Sequence, residues 1–183
     1  MPTRVYVTAH ASVRLSAADL DPLDVTRLLR LPPDHTHRRG EPRIVRAANG
    51  TVREYTPYAH GLWLMSSERW VSSPRLAVHV DRLLRELEPK GDEVRALLAS
   101  GVDADIFCYS LGRSSDAPSL PRVLRERAAR LGLRIDVDHY PWLPDASTSA
   151  DGDVPIPQRP RDGWDDAFRE MARRGDDLPL DHG

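Results

Sequence analysis

Residues 4–15, Arg-Val-Tyr-Val-Thr-Ala-His-Ala-Ser-Val-Arg-Leu, set Val5, Val7, Ala9, Ala11, Val13 and Leu15 against Arg4, Tyr6, Thr8, His10, Ser12 and Arg14. A period of two puts one set on each side of a pleated strand, so the stretch predicts a half-buried strand and a fold organised around a sheet. Downstream, Asp21-Pro22 supplies an N-cap and a first-turn proline for a helix whose stripe is Val25, Leu28 and Leu29, stopped by Pro32-Pro33. Residues 32–42 hold Pro32, Pro33, Gly40 and Pro42 and predict an irregular exposed loop. Asn49-Gly50, between residues 43–48 and 51–56, favours a tight hairpin turn.

The second half repeats the grammar. Residues 61–66 read as a strand, and Ser73-Pro74 opens a helix carrying Leu76, Val80, Leu83, Leu84 and Leu87, ended by Pro89. A shorter helix covers about 92–100 and stops at Gly101. Residues 102–110 are apolar on both sides and predict a central strand, whereas Leu133, Ile135 and Val137 alternate with Arg134, Asp136 and Asp138 beyond a helix closed by Gly132. The order β-α-ββ-β-αα-β-α-β predicts an α+β domain, a mixed or antiparallel sheet with helices packed on one face.

At 183 residues the chain suits one domain and an appendage. Hydrophobic residues at 40% and charged residues at 30% fit a globular chain and exclude a wholly disordered one. A formal charge of −2 gives no bulk attraction for phosphate backbones, which disfavours nucleic acid as a partner unless Arg38, Arg39, Arg43 and Arg46 form a local patch. Cys108 is the single cysteine, and no apolar run reaches membrane-spanning length, so a cytoplasmic protein without membrane contact is the expectation.

Composition divides the chain into a domain at 1–140, a Pro-rich linker at 141–160 and a tail at 161–183. In the tail Trp164, Phe168 and Met171 fall at i, i+4 and i+7, which predicts an amphipathic helix with an aromatic stripe. So short a helix is marginal alone and needs a surface, either its own domain or a partner's groove.

Chemistry-bearing candidates are sparse, and no catalytic residue, metal ligand set or cofactor is assigned. His35 and His37 lack a third partner at a recognised metal spacing, and Cys108 lies in an apolar strand where burial makes a thiol inert. Asp103, Asp105, Asp136 and Asp138 could line one sheet face with His139 as an acid–base group, or simply face solvent. Tyr58, His60, Trp63, Trp70, Arg38 and Arg39 make up the candidate recognition surface of the domain, with core packing the alternative, and the preferred, reading for Trp63 and Trp70.

Two resemblances add to this. Ala11-Ser12-Val13-Arg14-Leu15, the helix at 21–29, Gly40-Glu41, the run Gly61 to Glu68, the helix end at 83–89 and Ile106-Phe107-Cys108-Tyr109 resemble the bacterial domain of unknown function 4279 over about residues 3–140, which implies a small α/β domain and no known activity. Residues 160–172, with Gly175-Asp176-Asp177, resemble the C-terminal tail of MazE/AbrB-type antitoxins. That resemblance implies a protein partner, such as an endoribonuclease toxin, held by Trp164, Phe168 and Met171, with Asp176 and Asp177 meeting its basic groups. Leu178-Pro179-Leu180 departs from the usual apolar ending, and no AbrB-like DNA-binding hairpin precedes the tail.

Overall fold

The computed structural model describes residues 6–46 and 50–141. β1 (Tyr6–Ala17) is the strand whose alternation opens the chain, and it lies at the centre of a five-stranded sheet of order β2-β5-β1-β6-β7. Its neighbours are β5 (Gly61–Ser66) and β6 (Asp103–Gly112), both antiparallel to it. β2 (His35–His37) pairs antiparallel with β5, and β7 (Arg134–Pro141) runs parallel to β6, so the sheet is mixed. The β2 strand corrects the expectation of an irregular loop at 32–42, since His35, Thr36 and His37 complete the ladder of β5.

The hairpin around Asn49-Gly50 forms, but its innermost pair is Arg46 with Val52, so five residues and not two separate its strands. β3 (Arg43–Arg46) and β4 (Val52–Tyr55) pair only with each other, as a separate two-stranded sheet in which Ile44 and Val52 stay exposed. Gly50 has φ +81°, the left-handed region that glycine enters without strain, while residues 47–49 of the turn lie outside the described residues.

Among the described residues four α-helices connect the strands. α1 (Pro22–Leu29) is capped as its sequence requires, with the Asp21 carboxylate accepting from Leu23 N–H at 2.9 Å. α2 (Leu76–Leu87) begins later than Ser73-Pro74 suggests, because Ser73 Oγ accepts from Arg75 N–H and holds the approach in a turn. α3 (Gly91–Ala99) follows, and α4 (Arg122–Arg130) bridges β6 and β7. The buried residues of all four helices, among them Val25, Leu29, Leu76, Leu83, Leu84, Val94 and Leu124, join Ala11, Val13, Leu15, Trp63, Met65, Ile106 and Cys108 in one core. Those strand residues share one side of the sheet by register, so the helices cover that side.

The opposite side follows from the same pairings. It carries His10, Ser12 and Arg14 of β1, Leu62 and Leu64 of β5, Asp105, Phe107 and Tyr109 of β6, and Arg134, Asp136 and Asp138 of β7. No described helix is long and apolar enough to cross a membrane.

Candidate functional site

The helix-free side of the sheet gathers most of the unusual chemistry. Arg14 and Asp105 are register partners, and the guanidinium meets the carboxylate through two bonds, Nε to Oδ1 at 2.8 Å and Nη2 to Oδ2 at 2.6 Å. The same guanidinium lies 4.4 Å above the Phe107 ring. His10 stacks on Tyr109 at 4.8 Å between centroids, and Tyr109 in turn meets Tyr140 at 5.5 Å. Burial lowers the His10 pKa against the opposing pull of Glu68, so the imidazole is biased to its neutral form. Burial also raises the phenols of Tyr109 and Tyr140, with Asp138 reinforcing both shifts.

Period-two spacing thus brings Asp105, Asp136 and Asp138 to one face, but His139 does not join them. Its side chain belongs to the helix side, where Nε2 donates to Ser114 O at 2.9 Å and the ring meets Tyr6 edge-on. A strand cannot present adjacent residues to one face, so the acid–base group proposed with the carboxylates is not assembled.

The six candidate recognition residues separate in the same way. Trp63 is not a surface residue: it is fully buried, and its indole N–H donates to Thr26 Oγ1 at 3.0 Å, which ties β5 to α1. Trp70 is 36% exposed, with the guanidinium groups of Arg69 and Arg82 at 5.2 Å and 4.8 Å from its ring. Tyr58 stacks on His37 with centroids 3.5 Å apart, and His60 approaches the same imidazole at 6.2 Å. Burial, helped by the positive charge available to His35, His60 and Arg43, pushes His37 down to about 4. Arg38 is held by Asp21 and Arg39 by Asp19, so two of the four arginines of a would-be basic patch are neutralised locally. Trp164, Phe168, Met171, Asp176 and Asp177 lie outside the described residues.

His35 Nε2 and His37 Nδ1 stand 3.3 Å apart, yet among the described residues no group of three or more His, Cys, Asp or Glu side chains is arranged to hold a metal ion. Cys108 is buried on the helix side and its thiol is pushed up to about 12, chiefly by desolvation, which leaves no thiolate for nucleophilic work. An open, polar cleft of about 320 Å³ lies between Glu88 and Leu131, and two of the arginines that line it are paired, Arg127 with Asp81 and Glu88 and Arg95 with Asp92.

One buried pair escapes sequence inspection. Ser67 Oγ and His79 Nδ1 are 2.8 Å apart, His79 Nε2 meets Ser73 O at 2.7 Å, and Ser67 Oγ accepts from Ala11 N–H at 3.0 Å. A carbonyl only accepts, so the proton sits on Nε2 and Nδ1 receives the serine hydroxyl. Serine beside histidine suggests an activated nucleophile, but both residues are at most 1% exposed, so no substrate reaches them. The signal was present in part: His79 stands within the apolar stripe of α2, and a polar group there requires a partner. Its partner is 12 residues away, beyond the reach of helical periodicity.

A family model described as Domain of unknown function (DUF4279) matches residues 7–142. No curated protein and no solved structure matches the chain.

Proposed function

The chain belongs to the DUF4279 family, whose description carries no activity, and we propose that it is a non-enzymatic protein-binding protein of the inhibitor kind, related in role to antitoxins or immunity proteins. The domain serves as a platform, and the segment at 161–183 engages a protein partner through Trp164, Phe168 and Met171, with Asp176 and Asp177 against basic groups of an endoribonuclease-type toxin. The observation that carries this reading is the sealing of the domain's reactive groups: Ser67, His79 and Cys108 are buried where no substrate arrives. An aromatic stripe at helical spacing beyond a Pro-rich linker suits association. The test compares the full chain with a triple variant, Trp164→Ala, Phe168→Ala and Met171→Ala, as bait in pull-downs. Loss of a specific partner with the variant supports the tail; equal recovery removes it.

A second reading is favoured by the shared face of Asp105, Asp136 and Asp138 beside Tyr109 and Arg14. There the domain binds a small cationic or polar ligand on its sheet, and the tail packs elsewhere on the same chain. Ligand-induced chemical-shift changes confined to β6 and β7, unaltered in the triple tail variant, would favour it over the first.

A further inference from the structure

The paired histidines of β2 are a cluster of metal-ligating nitrogens that neither functional reading uses. A strand turns alternate side chains to one face, so His35 and His37 stand on the same side of β2, with Thr36 on the other. Their register partners on β5 are Leu64 and Leu62, so both imidazoles lie beside apolar side chains. His35 is exposed and His37 is buried, which leaves the pair approachable from the His35 side.

The separation of the two nitrogens decides what they suit. His35 Nε2 and His37 Nδ1 are 3.3 Å apart, longer than the about 2.7–3.2 Å usual for a hydrogen bond from N–H. A zinc ion holds imidazole nitrogens at about 2.0–2.1 Å in tetrahedral geometry, and two such bonds set their nitrogens about 3.3–3.4 Å from each other. As a hydrogen-bonded pair the histidines are poorly served, because His37 Nε2 is buried with no hydrogen-bond partner among the described residues. The spacing matches the bite of a chelate better than it matches a structural hydrogen bond.

Donor chemistry narrows the ion. Two imidazoles without a carboxylate select zinc or copper(II) over magnesium or calcium, which take oxygen ligands. Asp34, the adjacent carboxylate, is already engaged: it accepts from Ser66 N–H at 2.6 Å and pairs with Arg69. Among the described residues no third ligand is arranged around the pair, so the protein supplies two donors and water the rest.

We propose that His35 Nε2 and His37 Nδ1 chelate one zinc or copper(II) ion at the β2 edge, in an exchangeable site whose remaining positions are held by water. The ion bridges across Thr36 and fixes β2 in its extended pairing with β5, a ladder only three residues long. The site uses no residue of 161–183, so it stands or falls apart from the tail reading.

The test titrates the full chain, stripped of metal with EDTA and dialysed, with zinc chloride in a calorimeter. One equivalent binds the wild type, and His35→Gln weakens that binding by roughly tenfold or more, since one of two chelating donors is gone. His182→Gln, which removes an imidazole far along the chain, leaves the affinity unchanged, and magnesium chloride gives no saturable heat. The ring-nitrogen NMR resonances of His35 and His37 shift together as zinc is added. Absence of saturable zinc binding, equal affinity in His35→Gln and wild type, loss of binding in His182→Gln, or equal binding of magnesium would each overturn the proposal. Should His35→Gln fail to fold by circular dichroism, the wild-type nitrogen resonances decide: shifts confined to other histidines refute the site.

Discussion

Ser67→Ala is the most direct probe of how this domain is held together. β1 and β5 pair from Ala17↔Gly61 to Ser12↔Ser66, and one residue further the Ser67 hydroxyl serves Ala11 N–H at 3.0 Å. The same oxygen carries the proton that His79 Nδ1 receives at 2.8 Å. Alanine occupies nearly the same space but leaves a buried donor on β1 and a buried acceptor on α2 unmatched. Each such group costs about 1–3 kcal/mol, so the two together cost about 2–6 kcal/mol, a large share of the roughly 5–15 kcal/mol of a typical domain. The control is Ser100→Ala, whose hydroxyl also donates a hydrogen bond, here to a backbone carbonyl, Leu97 O at 2.7 Å, but in an exposed position. Water replaces that bond, so the control changes stability by less than about 0.5 kcal/mol. Urea unfolding followed by circular dichroism measures both, with an unchanged denaturant slope required for comparison. Equal losses in the two variants would refute the assignment of Ser67 as the buried tie between sheet and helix.

Other outcomes follow from single features. Gly61→Ala would place a methyl 2.3 Å from the Leu20 carbonyl oxygen, a backbone atom that cannot turn aside, so the variant loses about 2 kcal/mol or more in thermal or urea unfolding. Stability also falls on acidification: His10, His37 and His79 are all lowered by burial, so the unfolded chain takes up protons first. The full contribution is present above the ordinary value of 6.5 and declines as pH drops towards about 4, where His37 titrates. A melting temperature flat between pH 7 and pH 4.5 would contradict this. Cys108 should resist a thiol reagent in the folded protein and react promptly in denaturant; fast labelling of the native chain would show that the core around β6 opens.

Much of the architecture was legible because it depends on local periodicity. The alternation from Val5 to Leu15 is visible in any window of that length, and β1 is its direct expression. Asp21-Pro22 marked the start of α1, and Gly101 and Gly132, with φ +89° and +77°, marked the residues just past α3 and α4. The three-residue β2 escaped because prolines and a glycine surround it and its pairing partner, β5, lies about 27 residues away.

The candidate site divides along the same line. Composition and spacing determined that Asp105, Asp136 and Asp138 would share a face if their strands were neighbours, that Cys108 would be buried, and that no membrane-length apolar run exists. Tertiary structure alone sent Trp63 inward to Thr26 while leaving Trp70 between two guanidinium groups, and it brought Ser67 to His79. Periodicity reports which side of its own element a residue occupies. Whether that side meets a helix, another strand or water depends on packing between segments distant in the chain, and neither indole carries that information in its immediate neighbours.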